Sequence, residues 1–180
     1  MSTKIGWIGT GVMGAPMAGH LLAAGHGLHV YNRTASKAQA LVDAGAVLCE
    51  SPQEVAGQSE VVFSIVGYPA DVESTYLGAD GILAGARAGT VVVDMTTSEP
   101  ALAKRIHAAA GQQGVDALDA PVSGGDIGAR NAALAIMVGG EASVFEKVKP
   151  LLECMGQNIA HMGPPGAGQA RAPAPKKEIL

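Results

Sequence analysis

The chain is poor in aromatic side chains, in cysteine and in excess charge of either sign. Aromatic residues occupy only 3% of the 180 positions, so aliphatic side chains must build the core. Apolar residues reach 48% and the formal net charge is −4, which together exclude a mainly disordered chain. The mild acidity argues against nucleic acid and an anionic membrane surface as partners, because both would select a basic face.

Cysteine and long apolar runs are also scarce. The two cysteines, Cys49 and Cys154, lie far apart in no metal-ligand spacing, so we expect no disulfide framework and no metal site. Glycines interrupt the first apolar run, unlike a signal peptide, and no run approaches the roughly 18 uncharged apolar residues of a membrane span. These absences predict a soluble cytoplasmic protein.

Short aliphatic runs alternate with longer helical stretches, a pattern typical of an α/β protein with a parallel sheet. The uninterrupted apolar run 61–66 predicts a strand buried on both faces. The other predicted strands cover residues 5–8, 28–31, 47–49, 91–94, 117–120, 134–138 and 158–161. Predicted helices cover residues 13–24, 36–44, 70–76, 100–112 and 141–155, with a capping box at 51–54 and with Pro150 kinking or splitting the last helix.

The first predicted strand runs into a glycine-rich string that matches GxGxxG. Glycine is abundant here, with 25 residues, so the position after a strand and before a helix carries the argument. There the glycines permit a tight turn, backbone approach to a pyrophosphate and close helix packing, while the helix N-terminus attracts phosphate. The pattern predicts a Rossmann-type doubly wound sheet; the alternative is an ordinary strand-to-helix turn. The predicted cofactor-binding residues of this loop are Gly9, Thr10, Gly11, Val12, Met13 and Gly14.

The second predicted strand ends in Asn32, Arg33 and Thr34, which we expect to face the adenosine ribose. An acidic residue there bonds the 2′-hydroxyl of NAD in many dinucleotide-binding proteins. Its absence, together with a guanidinium that can pair with a 2′-phosphate, favours NADP over NAD. The alternatives are that Arg33 is a solvated loop cation and that NAD is the cofactor.

Several segments together resemble the β-hydroxyacid dehydrogenases, a family that includes 3-hydroxyisobutyrate dehydrogenase, tartronate semialdehyde reductase and glyoxylate/succinic semialdehyde reductases. The resemblance runs from Lys4 to Gln169 and rests on GWIGTGVMGAPMAGHLLAAGH, YNRT, DMTTSEP, DAPVSGGDIGA and IMVGG. It implies an oxidoreductase that moves a hydride between a nicotinamide and a small 3-hydroxy acid or semialdehyde. It also implies an NAD(P)-binding domain like that of 6-phosphogluconate dehydrogenase, over residues 1–163.

The resemblance implies further site residues. Val66, Gly67 and Tyr68 match a loop that lines the cofactor, and Thr97 matches the residue near the nicotinamide ribose. Thr97 has the alternative role of capping the helix that begins near Pro100.

A second loop resembles the family's substrate loop. Its hydroxyl and glycine N–H groups can hold a small carboxylate without adding bulk, although a structural glycine turn is the alternative. The implied substrate-binding residues are Ser123, Gly124 and Gly125. The histidines show no metal spacing, and we assign none of them a catalytic role.

The chain departs from the family pattern near its end. The family supplies a catalytic lysine from a GxGxxxK run, which begins here at Gly166, but the lysine position is Ala172. The asparagine expected one turn later is Lys176, within a segment broken by Pro173 and Pro175. We therefore expect residues 164–180 to be a linker and aberrant tail, and we name no certain catalytic residue. A truncation, a frameshift after Gln169 or a natural short homologue would each give this pattern.

These features leave three hypotheses for function. The first is a cofactor domain of a 3-hydroxyacid dehydrogenase, with the family's C-terminal all-helical domain absent and with little or no turnover. The second is a non-catalytic module that binds NADP or a partner, and the third is an imine reductase-like enzyme. A missing closing domain would expose apolar surface, so we also expect self-association.

Overall fold

The computed structural model describes residues 2–172, in which nine strands form one sheet. The strands are β1 (Lys4–Ile8), β2 (Gly27–Tyr31), β3 (Val47–Leu48), β4 (Val61–Ser64), β5 (Val91–Asp94), β6 (Asp116–Asp119), β7 (Val122–Ser123), β8 (Leu134–Gly139) and β9 (Gly156–Gly163). The helices are α1 (Gly14–Ala23), α2 (Gln39–Asp43), α3 (Pro52–Gly57), α4 (Pro69–Leu77), α5 (Ile82–Gly85), α6 (Pro100–Gly111), α7 (Gly125–Arg130), α8 (Ala142–Leu152) and α9 (Ala167–Arg171), and a 3₁₀ turn covers Ala35–Ala38.

Six strands in the order β3-β2-β1-β4-β5-β6 are all parallel. The chain order reverses between β1 and β4, so the carboxyl ends of these two strands flank a crevice, which is where open α/β sheets bind ligands. The predicted Rossmann-type, mostly parallel sheet is therefore confirmed.

Alternate residues of the central strands enter two separate cores, one on each face of the sheet. On β4, Val61 and Phe63 join one core while Val62 joins the other. Helices α1 and α8 pack on the first face and α3, α4 and α6 on the second. This two-sided burial explains why β4 is an uninterrupted apolar run.

Trp7 connects the first core to the glycine-rich loop. It is fully buried, stacks on Phe63 at a centroid distance of 5.5 Å, and donates its indole N–H to the carbonyl oxygen of Gly9 at 2.8 Å. The end of β1 is thus fixed both by packing and by a buried hydrogen bond.

We expect Trp7→Phe to lower the free energy of unfolding by about 1–3 kcal/mol, because it leaves a cavity and removes the bond to Gly9. For a chain of this size the midpoint of thermal unfolding will fall by roughly 3–10 °C. Scanning calorimetry of both proteins checks this. An unchanged midpoint would show that neither the packing nor the indole bond stabilises the fold.

Beyond β6 the sheet departs from the parallel pattern. Strand β8 runs antiparallel to β6 and β7, and β9 pairs with β8 in parallel. The sequence pattern did not predict β7, α5, α7 or α9, all of which are short. Within residues 2–172 no helix is both long and apolar enough to cross a membrane.

Two local predictions need correction or refinement. Helix α8 is continuous from Ala142 to Leu152 with Pro150 in its last turn, so the predicted split is wrong. The predicted capping box of α3 is only half formed: Ser51 Oγ accepts the Glu54 N–H at 3.1 Å, but the Glu54 carboxylate accepts the N–H of Glu50 at 2.7 Å and not that of the N-cap residue Ser51.

The segment expected to be a linker contains structure. Helix α9 follows Gly166 and buries Gly168 and Gln169. Pro173, Pro175, Lys176 and Lys177 lie outside the described residues, so the tail stays a prediction.

Candidate functional site

The three glycines of the GxGxxG string occupy different environments at the end of β1. A Cβ on Gly9 would overlap the carbonyl oxygen of Ile65, and one on Gly14 would overlap the carbonyl oxygen of Gly9. Gly9 also has φ of +100°, which favours glycine. A Cβ on Gly11, in contrast, would meet nothing within 4 Å, so this glycine faces open space at the N-terminus of α1.

Asn32 braces this loop against β2. Its side-chain oxygen accepts the Thr10 N–H at 2.8 Å, and its amide nitrogen donates to the carbonyl oxygen of Thr34 at 2.9 Å. Asn32 therefore links the glycine loop to the turn that follows β2. The hydroxyl of Thr10 is buried and has no partner within the described residues.

These observations fit a bound dinucleotide. An open glycine and the N-terminal amides of α1 lie at the crevice between β1 and β4. The neighbouring Thr10 hydroxyl is buried and has no partner among residues 2–172. Such a cradle offers N–H donors and a partial positive charge to a pyrophosphate.

Arg33 extends from the end of β2 across to the start of α4. Its guanidinium lies 3.1 Å from the Asp71 carboxylate, and its side chain is 82% exposed. The same carboxylate accepts the N–H of Tyr68 at 3.0 Å and so caps α4. Because exposed ion pairs are weak, the guanidinium is available to a competing phosphate.

The loops that follow β4 and β5 are joined by a hydrogen bond. Val66 donates its N–H to the Thr96 hydroxyl at 2.9 Å, which places residues 66–68 beside residues 96–98 at the carboxyl edge of the sheet. Tyr68 is 51% exposed, and Thr97 is half-buried. Thr97 does not cap α6: Glu99 is the N-cap and Pro100 the first helical residue, so that alternative is wrong.

A buried acid lies beneath these loops. Asp94 accepts hydrogen bonds from the Thr96 N–H at 3.1 Å and the Ser64 hydroxyl at 3.2 Å, and Ser64 contacts the Tyr76 hydroxyl at 2.6 Å. Burial raises the pKa of Asp94 from 3.8 to about 7, and its hydrogen bonds only partly oppose that shift. Burial also raises the pKa of Tyr76.

The Ser123 loop lies at a different part of the same sheet. Ser123 ends β7 and is exposed, Gly124 and Gly125 have φ of +132° and +64°, and α7 begins at Gly125. Helix α7 contacts α1, the helix that opens at the glycine loop, through a 2.8 Å hydrogen bond between His20 and the carbonyl oxygen of Ala129. This contact joins the two helices near their C-terminal ends, and the substrate-binding role of residues 123–125 stays a prediction.

Three histidines have structural partners. Besides His20, the ring of His26 accepts the Thr3 N–H at 3.0 Å, and His161 bonds the carbonyl oxygen of Gly140 at 2.7 Å while stacking on Phe145. In the described part of the chain, no three His, Cys, Asp or Glu side chains are grouped as metal ligands.

Comparison with known proteins assigns the family. Residues 4–163 match the family described as the NAD binding domain of 6-phosphogluconate dehydrogenase. The chain belongs to that family. A probable mitochondrial 3-hydroxyisobutyrate dehydrogenase-like protein of Arabidopsis thaliana is 53% identical over 169 residues, which are 93% of this chain and 50% of that relative. The chain spans about half the length of such curated relatives.

Solved structures give the same assignment for this 6-phosphogluconate dehydrogenase-type domain. A Mycobacterium tuberculosis 3-hydroxyisobutyrate dehydrogenase, described with L-serine, is 38% identical with a TM-score of 0.89, over 94% of this chain and 57% of that one. An imine reductase of Myxococcus stipitatus in complex with NADP+ is 29% identical with a TM-score of 0.82, over 93% and 57%. A variant of that reductase was solved with NAD+. The predicted resemblance and a nicotinamide cofactor are therefore confirmed, whereas the choice between NADP and NAD is not decided.

Several residues of this NAD-binding domain were not found by sequence reasoning. Asp71 pairs with Arg33, and Asp94 lies buried below the loops that follow β4 and β5. Asp119 and Gln169 join α9 to the sheet. The one available signal was position: Asp94 and Asp119 each end a parallel strand at the ligand-binding edge.

Proposed function

We propose that this chain is the NADP(H)-binding domain of an oxidoreductase acting on a small 3-hydroxy acid or the corresponding semialdehyde. The observation that carries the proposal is the contrast between Gly11, which faces open space, and Gly9 and Gly14, which close against backbone. That contrast fits a pyrophosphate lying at the N-terminus of α1. When bound, the nicotinamide ring donates or accepts the hydride.

The two sides of the crevice between β1 and β4 bind the two halves of the cofactor, adenosine on one side and nicotinamide on the other. Loop residues 9–14 hold the pyrophosphate, and residues 32–34 hold the adenosine ribose. Residues 66–68 and Thr97 line the nicotinamide half, because they follow β4 and β5 on the other side of the crevice.

Arg33 supports the preference for NADP. Its guanidinium is exposed beside the end of β2. An acidic residue at the end of β2 would repel a 2′-phosphate, and residues 32–34 include none. The Asp71 carboxylate pairs with this guanidinium, so a 2′-phosphate has to displace that carboxylate in order to bond Arg33. A 2′-phosphate can form shorter, charge-assisted bonds with the same guanidinium.

We expect Arg33→Ala to weaken NADPH binding about 10- to 30-fold and to leave NADH binding unchanged, since only NADPH carries the phosphate. Titrations of both cofactors, followed by nicotinamide fluorescence, measure the effect. Arg105→Ala is the matched control, because Arg105 is also an exposed arginine paired with a carboxylate, that of Glu73 at 2.8 Å.

The outcomes separate the proposals. Equal binding of NADPH and NADH by the wild-type chain would support the proposal that the chain is a cofactor-binding domain, but would overturn the proposed preference for NADP. Binding of neither would overturn the proposed function.

The substrate and the turnover are further parts of the proposal. Ser123, Gly124 and Gly125 present a hydroxyl and backbone N–H groups suited to a small carboxylate. The family lysine position is Ala172, so no positioned ammonium is available there to move the hydroxyl proton, and loss of a general acid commonly costs about 10²- to 10⁴-fold in rate. We therefore propose little or no turnover by this chain. Self-association also remains a proposal.

Ala172 favours a second candidate, a non-catalytic module that binds NADP. Supplying the C-terminal domain of a relative in trans separates the two candidates: reduction of a semialdehyde by the mixture would exclude the non-catalytic module, whereas cofactor binding without reduction in the mixture would support it. The Ser123 loop, which suits a carboxylate, speaks against the imine reductase alternative.

A further inference from the structure

Asp119 and Gln169 tie α9 to the carboxyl edge of the sheet. The two Asp119 oxygens accept the N–H groups of Gly166 and Gln169, each at 2.9 Å. Both side chains are almost completely buried, with 4% of Asp119 and 5% of Gln169 exposed. A buried carboxylate that accepts two backbone N–H groups is well satisfied, so this anchor fixes the first turn of α9.

The Gln169 side chain continues the connection into the loop after β5. Its amide nitrogen donates to the carbonyl oxygen of Thr96 at 2.7 Å, and its oxygen accepts the N–H of Ser98 at 2.8 Å. One side chain therefore holds both ends of the three-residue segment that contains Thr97.

Small residues allow this close approach. A Cβ on Gly168 would lie 2.5 Å from the carbonyl oxygen of Met137 and 2.8 Å from that of Asp119, and one on Gly139 would lie 2.7 Å from the Gly168 nitrogen. The helix backbone rests directly on β6 and β8. Because Gln169 is part of α9, a displacement of α9 also moves its side chain and the Thr96–Ser98 segment that it bonds.

The loop held by Gln169 belongs to the nicotinamide half of the proposed cofactor site. Thr96 also accepts the Val66 N–H through its hydroxyl and donates its own N–H to Asp94. The loops after β4 and β5, together with α9, thus form one hydrogen-bonded unit. Gln169 bonds its Thr96–Ser98 segment, whereas, among the described residues, Arg33 on the adenosine side reaches it only through Asp71 at Tyr68.

We propose that Asp119 and Gln169 are positioning residues that couple occupancy of the nicotinamide half of the site to the docking of α9. This inference rests on the proposed function. Coupling of this kind is reciprocal: α9 holds the Thr97 segment ready for the nicotinamide end, and the bound nicotinamide end stabilises α9. A ligand that contacts only the adenosine half has no such effect, because it makes no differential contact with the loop.

The test compares NADPH with adenosine 2′,5′-bisphosphate, which lacks the nicotinamide half. We expect Gln169→Ala to weaken NADPH binding roughly 5- to 30-fold, because two hydrogen bonds that order the loop are lost. Binding of adenosine 2′,5′-bisphosphate will stay within about twofold of wild type. Gln113→Ala, the same change at an exposed position, is the control for both ligands.

A merely structural role would not produce this split. Equal weakening of both ligands, or no weakening of either, would overturn the coupling while leaving the proposed function in place. Failure of the wild-type chain to bind either ligand would overturn both.

Hydrogen exchange on the wild-type chain gives a second measurement that does not depend on the folding of a variant. The backbone N–H groups of Ala170 and Ala172 bond within α9 at 2.9 and 3.0 Å and report on its docking. Saturating NADPH will slow their exchange, whereas saturating adenosine 2′,5′-bisphosphate will not. Identical exchange with the two ligands would overturn the inference.

Discussion

Gly11→Val will abolish cofactor binding without lowering the thermal stability of the chain, whereas Gly14→Ala will impair both. A Cβ at Gly11 meets nothing within 4 Å, but it projects where the pyrophosphate is proposed to lie. We expect at least about 100-fold weaker NADPH binding, since the phosphates can no longer reach the N-terminus of α1.

At Gly14 a smaller change, the addition of one methyl group, acts on the fold itself. A Cβ there overlaps the carbonyl oxygen of Gly9, so α1 must move away from β1. Overpacking of this kind costs about 1–3 kcal/mol, which lowers the thermal midpoint by roughly 3–10 °C.

Calorimetric titration of NADPH and thermal melts of the two variants and wild type measure both effects. Tight NADPH binding by Gly11→Val would contradict the placement of the pyrophosphate. A lowered midpoint for that variant would contradict the reading of Gly11 as unconstrained by the fold.

Asp94→Asn will remove a pH dependence of stability that the wild-type chain shows between about pH 4 and pH 7. Burial raises the pKa of Asp94 from its ordinary value of 3.8 to about 7 in the folded chain, so the folded state retains a proton that the unfolded state releases. The free energy of unfolding of the wild-type chain therefore falls as pH rises through this window and levels off above it. The contribution of protonated Asp94 to the free energy of unfolding is fully present below about pH 4.

The variant keeps an oxygen that can accept from Thr96 and Ser64 but carries no titrating proton. Between pH 4 and pH 8 its free energy of unfolding, relative to wild type, will rise by roughly 2–4 kcal/mol. Thermal melts of both proteins at several pH values measure this change. A difference in stability that is the same at every pH does not affect it. Asp116→Asn, at an exposed position on β6, is the control. Parallel pH profiles for wild type and Asp94→Asn would show that Asp94 is ionised throughout the range.

The parallel sheet and the glycine loop could be predicted because each is encoded by neighbouring residues. Continuous apolar runs such as β4 report burial on both faces, and the three glycines stand within six positions. Helix α7 was missed because Gly124 and Gly125 at its start indicate a turn, whereas the structure uses them to change direction before the helix.

The rest of the site depends on pairs that are remote in sequence. Arg33 meets Asp71 across 38 positions, and Asp119 meets Gln169 across 50. No local periodicity encodes such contacts, and each becomes visible only when the strands are placed side by side. Gly166 and Gly168 suggested a linker when taken as neighbours in sequence. In the fold, Gly168 lets α9 lie against the sheet, and Gly166 adopts φ of +91° beside α6.

The bond from the Trp7 indole to the Gly9 carbonyl gives the chain an intrinsic spectroscopic reporter. The sequence contains one tryptophan, so its emission has a single origin. Its emission band overlaps the absorption of a dihydronicotinamide, and the indole lies one hydrogen bond from the glycine loop. Excitation energy will therefore pass from Trp7 to a reduced cofactor held at the crevice, and stopped-flow mixing can time its arrival and departure without any attached dye.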